Sequence, residues 1–315
     1  MNLVEDCLNK VKKDCYKFIK TQETSSDKFK NKDKMLKHYL VPMSFWIAKK
    51  TNFKKPYIVG LTGGQGTGKT TISSILMIIL KKYFKLKVFK ISIDDIYKTK
   101  NDRIKLSKKV HPLLLTRGVP GTHDISYMSN FIKKANSRKF RSIMLPKFDK
   151  AIDDRFTKKN WYKVNSRPDI IIFEGWCVGA RPESLKTLKK SVNMMEKYDD
   201  NKLIWRKHVN DQLKKGYKKL YSKLDCLLFL RAENFSLLQK WRVIQEKKLK
   251  LKNKSKKTKQ KIMTKKEVLN FMQTYQRITQ NMFKYAPKYA SIVIKLNSNH
   301  QINSCLLYTS PSPRD

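Results

Sequence analysis

From Tyr57 onward, short apolar runs alternate with longer amphipathic stretches, and this alternation predicts β-strands separated by α-helices. The runs that predict strands are Tyr57–Leu61, Lys87–Ile93, Ser142–Leu145, Ile170–Phe173, Cys226–Leu230 and Ile292–Leu296. The stretches that predict helices are Thr70–Tyr83, Ile125–Ala135, Leu203–Leu220, Phe235–Lys248 and Lys265–Phe283. Repeated strand–helix–strand units favour an α/β fold, in which a mostly parallel central sheet is flanked by helices.

The first 45 residues carry a separate pattern. Apolar side chains recur at helical spacing from Leu3 to Ile19, which predicts a helix with one apolar stripe. Packing of this stripe on the core is favoured over a partner-binding or membrane role. The charged segment Thr21–Lys34 predicts a loop, and the apolar segment Tyr39–Lys49 predicts a second helix. We therefore expect an N-terminal helical segment, 1–45, packed on a larger domain at 46–303.

Two segments late in the chain lack a core pattern. Residues 247–266 contain eleven lysines and no acid. This composition predicts an exposed lysine-rich loop, because the like charges repel one another at neutral pH. The last residues, 304–315, add two prolines and no periodicity, so we interpret them as a tail that is not native to the fold.

The segment after the first predicted strand is rich in glycine and fits the phosphate-binding pattern G-x-x-x-x-G-K-[ST] in full. Glycine lets backbone N–H groups turn inward around a polyphosphate, and the following helix aims its positive end at the same anion. In this pattern the lysine reaches the β- and γ-phosphates, and the next hydroxyl reaches Mg²⁺. A glycine-rich surface turn is the alternative, but the flanking strand and helix favour nucleotide binding. The expected nucleotide-binding residues are Gly63, Gly64, Gln65, Gly66, Thr67, Gly68, Lys69, Thr70 and Thr71.

The formal net charge is +46, from 71 Lys and Arg residues against 25 Asp and Glu residues. Such an excess suggests a nucleic acid or an acidic surface as a partner. Lysine is nevertheless spread along the whole chain together with Asn and Ile, as a coding bias toward A and T would give. We therefore favour lysines on solvated faces that attract anionic small molecules over a nucleic-acid partner.

The five cysteines are odd in number and lack C-x-x-C spacing, so the sequence indicates neither a disulfide framework nor a zinc site. A reducing compartment fits this usage best. The N-terminus has early acidic residues and no continuous apolar region, and no stretch approaches the roughly 18 apolar residues of a membrane span. We expect a cytoplasmic protein without membrane contact.

Two adjacent carboxylates, Asp94 and Asp95, follow the second predicted strand. In open α/β sheets the carboxyl ends of parallel strands lead into the crevice where ligands bind. Phosphoryl transfer to an alcohol needs a carboxylate within hydrogen-bond reach of the attacking hydroxyl, so one of the pair is a candidate base. Capping of a helix is the alternative for both.

Glu174 comes directly after four apolar residues of another predicted strand. A Walker-B acid occupies this position in order to hold Mg²⁺ or its waters. Thr70 and Glu174 are therefore the expected metal-side residues, with capping of the next helix as the alternative for Glu174.

Two further motifs contain polar residues. Composition alone does not decide whether these residues have a chemical role. The segment 117–124 is a turn with Gly118, Pro120 and Gly121 as punctuation, and His123 within it has no second ligand at metal spacing. Arg242 lies on a predicted helix beside the lysine-rich loop. A basic residue on a mobile helix can neutralise charge that develops on a transferred phosphoryl group, and a solvated helix face is the alternative.

Taken in order, these motifs make roughly residues 35–302 resemble the D-glycerate 3-kinase family of the plant and fungal type. This family is a branch of the P-loop kinases, which also include uridine kinase, phosphoribulokinase and pantothenate kinase. The segments that carry the resemblance are GLTGGQGTGKT at 60–70, SIDDIY at 92–97, RGVPGTHD at 117–124, PKFDKA at 146–151, FEGWCVG at 173–179, KWRVIQE at 240–246 and NHQI at 299–302. The lysine-rich insertion after Leu249 has no counterpart in the family pattern, and the segment between Lys150 and Arg155 is shorter than usual.

The resemblance implies a P-loop NTPase-type three-layer sandwich and an ATP- and Mg²⁺-dependent kinase that converts D-glycerate to 3-phosphoglycerate. It also implies that Asp94 is the base, that Lys69 binds phosphate, and that Arg242 lies in a lid helix near 235–248. The residues that it implies on the acceptor side are Asp95, Tyr97, Arg117, His123, Asp124, Lys150 and Arg155. The alternatives are a kinase of a nucleoside or a pantothenate-like acceptor, and a P-loop ATPase associated with nucleic acid.

Overall fold

A computed structural model describes residues 2–23, 28–253 and 263–307, and within these the chain forms one large sheet and two small ones. The strands are β1 Tyr57–Gly63, β2 Val88–Ser92, β3 Ile143–Leu145, β4 Phe148–Asp149, β5 Asp154–Arg155, β6 Tyr162–Val164, β7 Ile170–Gly175, β8 Cys226–Arg231, β9 Ile292–Leu296 and β10 Ile302–Leu307. The large sheet has the order β10-β9-β8-β1-β7-β2. Its neighbours are parallel except for β10, which runs antiparallel to β9.

Helices connect and cover these strands. The α-helices of the described residues are α1 Leu3–Gln22, α2 Lys32–Met35, α3 Val41–Lys49, α4 Lys69–Lys82, α5 Lys100–Lys109, α6 Ser126–Ala135, α7 Leu185–Lys189, α8 Met194–Tyr198, α9 Ile204–Gln212, α10 Lys218–Tyr221, α11 Phe235–Asn253 and α12 Lys265–Tyr285. π-Helical turns at Leu36–Leu40 and Leu213–Tyr217 join α2 to α3 and α9 to α10. Short 3₁₀ turns lie at Ile93–Ile96, Pro112–Leu115, Lys158–Asn160 and Ala286–Lys288.

The predicted α/β sandwich with a mostly parallel sheet is confirmed. All six residues of β7 are buried, as expected for a central parallel strand with helices on both faces. The apolar stripe of α1 packs against α4 and supplies Cys7, Leu8, Val11, Cys15 and Ile19 to the core. None of the helices in the described ranges combines the length and the apolar character that a membrane crossing needs.

One predicted strand lies in a different sheet from the one expected. The run Ser142–Leu145 was expected in the parallel sheet, but β3 pairs antiparallel with β6 in a separate two-stranded sheet. Only Ile143 and Leu145 of β3 are buried, while Met144 between them is exposed. This alternation is typical of a half-buried antiparallel strand, whereas a central parallel strand is buried on both faces.

Three predicted boundaries also differ. Both ends of the segment Thr21–Lys34, which is predicted to be a loop, are helical. Helix α1 continues to Gln22, and α2 begins at Lys32. Residues 247–253 of the expected lysine-rich loop belong to α11, and α12 begins at Lys265, while 254–262 lie outside the described residues. The expected tail at 304–315 begins inside β10, whose pairing with β9 extends to Leu307.

Candidate active site

The glycine-rich loop joins β1 to α4 and turns its backbone toward the N-terminus of that helix. Gly66 and Gly68 have φ values of 80° and 84°, in the left-handed region that glycine adopts without steric cost. The helix begins at Lys69 without a side-chain cap. The N–H groups of its first turn, which includes Thr70 and Thr71, are therefore available to an anion. This end of α4 has the form of a phosphate site.

The side chain of Lys69 folds back over the loop, where its Nζ donates to the carbonyl oxygen of Gly64 at 2.9 Å. Burial lowers the pKa of Lys69, and the nearby carboxylates of Glu174 and Asp94 oppose this effect. A polyphosphate in the loop would give the ammonium group a stronger partner than a neutral carbonyl, because hydrogen bonds between ions are the stronger ones. The lysine is thus in place for the expected phosphate contact.

Thr70 and Glu174 lie together, as the sequence predicts. The Thr70 hydroxyl donates to Oε1 of Glu174 at 3.0 Å. Glu174 is 4% exposed, and burial raises its pKa, so this carboxylate gains from a cation beside it. Hydroxyl and carboxylate oxygens suit Mg²⁺. Within the described residues no group of three or more His, Cys, Asp or Glu side chains could hold a metal ion, so phosphate and water would supply the other ligands.

Asp94 lies in the 3₁₀ turn after β2, and both of its carboxylate oxygens are engaged. The Tyr97 hydroxyl donates to Oδ1 and the Lys150 ammonium donates to Oδ2, each at 2.8 Å. Burial alone would raise the pKa of Asp94, but the charge and hydrogen bond of Lys150 and the Tyr97 hydroxyl outweigh it and lower the pKa. Asp94 is therefore charged at neutral pH and holds a lysine whose side chain is 60% exposed.

Asp95 has a different role in the same turn. Its Oδ2 accepts the backbone N–H of Ser92 at 3.3 Å, while the Ser92 hydroxyl accepts the N–H of Asp94, so the two residues form a capping box. The Tyr162 hydroxyl lies 3.4 Å from both oxygens of Asp95. Burial raises the pKa of Asp95 to about 6. The helix-capping alternative therefore describes Asp95, and Asp94 is the carboxylate left to face the site.

The turn at 117–124 is fixed to the end of β7. The indole N–H of Trp176 donates to the carbonyl oxygen of Gly118 at 2.8 Å. Gly118 has a φ of 143°, and a Cβ there would lie 2.3 Å from the hydroxyl of Tyr275 on α12. The glycine thus allows α12 to approach this turn closely.

His123 is buried within the turn and stacks on Tyr97 with 4.6 Å between ring centroids. Its Nδ1 lies 2.8 Å from the Tyr217 hydroxyl, which accepts the backbone N–H of Gly121 at 3.0 Å. Burial lowers the pKa of His123 to about 3, so the ring is neutral. Because the Tyr217 hydroxyl can donate its proton to Nδ1, the ring proton belongs on Nε2, which is sealed and has no hydrogen-bond partner in the described chain.

The remaining acceptor-side residues are held by their neighbours. Arg117 pairs with Asp153, a residue of the β4–β5 turn that also pairs with the buried Arg103. Arg155 donates to the carbonyl oxygen of Tyr97 at 2.7 Å and lies 3.3 Å from Oδ2 of Asp124. Arg155 and Asp124 thus neutralise each other and fix the 117–124 turn to the β5 strand, while Arg117 keeps 28% exposure at the site.

Helix α11, which is expected to be the lid, passes close to the glycine-rich loop. A Cβ at Gly66 would lie 3.0 Å from Cβ of Trp241 and 3.5 Å from the backbone nitrogen of Arg242. The guanidinium of Arg242 is paired with Glu246 at 2.5 Å, and Glu246 also accepts the backbone N–H of Met263 at 3.0 Å. Arg242 is therefore close to the donor side but turned along its own helix.

Several residues at this site are not among those expected from the sequence: Tyr162 beside Asp95, Tyr217 behind His123, Tyr275 against Gly118, and His300, which stacks on Trp241 at 4.3 Å. Only His300 had a signal, since it lies in the NHQI segment. Tyr217 and Tyr275 lie on helical segments and Tyr162 lies on β6, and the local sequence around them contains no motif.

Known kinases are similar to this chain in sequence. An uncharacterized kinase of Schizosaccharomyces pombe is 31% identical over 229 residues, which cover 70% of this chain and 79% of that protein. The chloroplastic D-glycerate 3-kinase of Arabidopsis thaliana is 26% identical over 226 residues, 66% of this chain but only 47% of that protein. The chain thus spans about half the length of the Arabidopsis relative. No protein-family profile matches the chain.

Among solved structures, D-glycerate 3-kinase from Cryptococcus neoformans superimposes with a TM-score of 0.68 at 25% sequence identity. The superposition covers 86% of this chain and 97% of that one. Nearly the whole of that structure therefore has a counterpart here.

Proposed function

Because the chain belongs to the P-loop kinase family that includes D-glycerate 3-kinase and the Schizosaccharomyces pombe kinase, we propose that it phosphorylates the primary hydroxyl of D-glycerate. The products are 3-phosphoglycerate and ADP. Family membership supplies the reaction class, a small-molecule kinase, and the acceptor is our proposal. The observation that carries it is the pair of Asp94 with the exposed Lys150, which puts a base and a carboxylate-binding cation side by side.

On the donor side, the amides of the glycine-rich loop and the first turn of α4 hold the phosphates of ATP. Lys69 exchanges its contact with the Gly64 carbonyl for the β- and γ-phosphates. Thr70 and Glu174 are the residues that would hold Mg²⁺, which neutralises phosphate charge when it is bound. Arg242 leaves Glu246 as α11 closes and adds positive charge beside the transferred group.

On the acceptor side, Asp94 accepts the proton of the attacking hydroxyl. Its lowered pKa suits a carboxylate that must be ionised before the acceptor arrives. The carboxylate of the acceptor competes with Asp94 for Lys150, and this competition releases one oxygen of Asp94 toward the hydroxyl. A nucleoside has no carboxylate to make that exchange, which favours a hydroxy acid over a nucleoside acceptor.

The same network supports a role for the neutral His123. Its orphaned Nε2–H is a donor whose direction is fixed by Tyr217. Because this N–H is sealed from solvent, we assign His123 a positioning role: its ring stacks on Tyr97, whose hydroxyl holds Asp94.

The five cysteines carry free thiols, and we propose the cytoplasm, where thiols stay reduced, as the location of the reaction.

The proposal is tested by a coupled assay of ADP release with D-glycerate, pantothenate, uridine or no acceptor. We expect ADP release above the no-acceptor rate with D-glycerate and not with uridine. Faster release with uridine or pantothenate would assign the enzyme to another acceptor. Release stimulated by RNA or DNA and lost steeply with salt would instead indicate a nucleic-acid-associated ATPase.

A further inference from the structure

Tyr275 lies in the middle of α12, 4% exposed, with its ring packed among aromatic neighbours. The ring centroid is 4.7 Å from that of Trp176 and 5.0 Å from that of Phe271. Its hydroxyl is pressed against Gly118 of the acceptor-side turn, where a Cβ would approach it to 2.3 Å. Packing alone would be served equally well by phenylalanine, since these contacts are made by the ring.

The hydroxyl of Tyr275 makes no hydrogen bond to any residue in the described ranges, although buried tyrosine hydroxyls usually find a partner. It is also absent from the sealed polar atoms that lack a partner, so part of the small exposure of Tyr275 belongs to this atom. The hydroxyl therefore keeps an unused hydrogen bond where it lies against Gly118.

The charged groups around this hydroxyl are those of the proposed reaction. Burial raises the pKa of Tyr275, the charge of Asp94 raises it further, and the charges of Arg117 and Arg242 oppose them. The charges that act on Tyr275 therefore include those of the proposed base and of two arginines that are expected to contact the substrates. The hydroxyl of Tyr97, the tyrosine that contacts Asp94 directly, is already bound to that carboxylate.

We propose that the Tyr275 hydroxyl binds the hydroxyl group next to the carboxylate of the acceptor, and so selects 2-hydroxy acids. This inference rests on the proposed function. D-glycerate has three polar groups: the primary hydroxyl faces Asp94, and the carboxylate faces Lys150 and the exposed edge of Arg117. The secondary hydroxyl is left, and a tyrosine hydroxyl can donate a hydrogen bond to it and accept one from it.

The test compares the protein with its Tyr275→Phe variant on D-glycerate and on 3-hydroxypropanoate, which lacks only the secondary hydroxyl. We expect the substitution to lower kcat/KM for D-glycerate roughly tenfold and to leave that for 3-hydroxypropanoate within about twofold. The KM for ATP should not change. If 3-hydroxypropanoate turns over too slowly, its inhibition constant against D-glycerate gives the same comparison.

Tyr285→Phe is the matched control, because it removes a hydroxyl from the same helix at a position that is 39% exposed. It should leave both acceptors unaffected. An equal loss with both acceptors in Tyr275→Phe, or no loss with either, would overturn the assignment. Failure of the proposed function would be visible earlier, as absence of D-glycerate turnover by the unsubstituted protein.

Discussion

Asp94 is the residue on which the proposed chemistry depends most. Its two oxygens are held by a tyrosine hydroxyl and a lysine ammonium, so its position is fixed and its charge is kept. The neighbouring Asp95, which a sequence pattern cannot distinguish from it, is occupied by the N–H of Ser92. Asp95 thus caps the turn, and Asp94 is the residue of the pair to which our proposal gives the role of base.

Changing Asp94 to Asn should lower kcat for D-glycerate by at least a factor of about 10³, because the amide cannot take the proton of the attacking hydroxyl. Asn keeps an oxygen that can accept from Tyr97, so the turn should stay folded. Steady-state kinetics give the rate, and an unchanged melting temperature and affinity for a fluorescent ATP analogue serve as controls. A kcat within tenfold of the unsubstituted value would remove Asp94 from the role of base.

Changing Asp95 to Asn should stabilise the protein at neutral pH and not at acid pH. The pKa of this carboxyl is raised from 3.8 to about 6, by burial first. Between those values the folded state binds more protons than the unfolded state, so stability falls as pH rises through this window. Above pH 6 the whole cost is present, about 2 kcal/mol after allowance for partial exposure, and Asn avoids it.

Urea unfolding of both proteins at pH 4.5 and pH 7.5 measures this difference. We expect the free energy of unfolding of the Asp95→Asn variant to exceed that of the unsubstituted protein mainly at pH 7.5. The same difference at both pH values would mean that the carboxyl of Asp95 titrates normally in the fold.

At the scale of elements, the relation of α11 to the glycine-rich loop is the main feature. A Cβ at Gly64 would lie 2.2 Å from a methyl group of Leu238, and a Cβ at Gly66 would lie 3.0 Å from Cβ of Trp241. The ring of Trp241 is in turn stacked on His300 from the turn after β9. Movement of α11 as the expected lid would therefore change its contacts with the glycine-rich loop.

Changing Arg242 to Ala should lower kcat by a factor of about 10² or more and change KM for D-glycerate little, because the guanidinium would act on charge that develops during transfer. Lys240→Ala is the matched control, since Lys240 is an exposed cation on the same helix. Steady-state kinetics with both substrates varied separate the two parameters. Equal effects of the two substitutions would mean that α11 contributes only its general positive charge.

The elements that sequence predicted best are those whose pattern is local. The parallel strands β1, β7, β8 and β9 are mostly apolar runs. The glycine-rich loop predicts where α4 begins, because a helix follows this motif. The partner of β3 could not be predicted, because three alternating residues fit a hairpin as well as a sheet. The edge strand β10 was missed because its residues are mostly half-exposed and stand just before two prolines.

For the whole molecule, the donor half of the site was predictable and the acceptor half only in part. Thr70 and Glu174 are 104 positions apart, yet the parallel-sheet rule brings them together at one edge. The contact of His123 with Tyr217 spans 94 positions and links a turn to a π-helical segment. No local pattern encodes such a contact, and the same is true of Tyr275 against Gly118.

The excess of positive charge belongs to the same scale. The net charge of +46 is spread over the chain, and several cations at the site are already paired with carboxylates, as Arg117 is with Asp153. The general field attracts ATP and an acidic acceptor alike, whereas the choice between acceptors depends on a few fixed groups. Assays of acceptor choice should therefore be compared at one ionic strength.

The central claim is transfer of the γ-phosphoryl group of ATP to the primary hydroxyl of D-glycerate. The most direct measurement follows γ-³²P from labelled ATP in a reaction with D-glycerate and Mg²⁺, with the products separated and identified. Our account predicts that the label appears in 3-phosphoglycerate, in an amount equal to the ADP formed. Label recovered as inorganic phosphate, or as 2-phosphoglycerate, would contradict it.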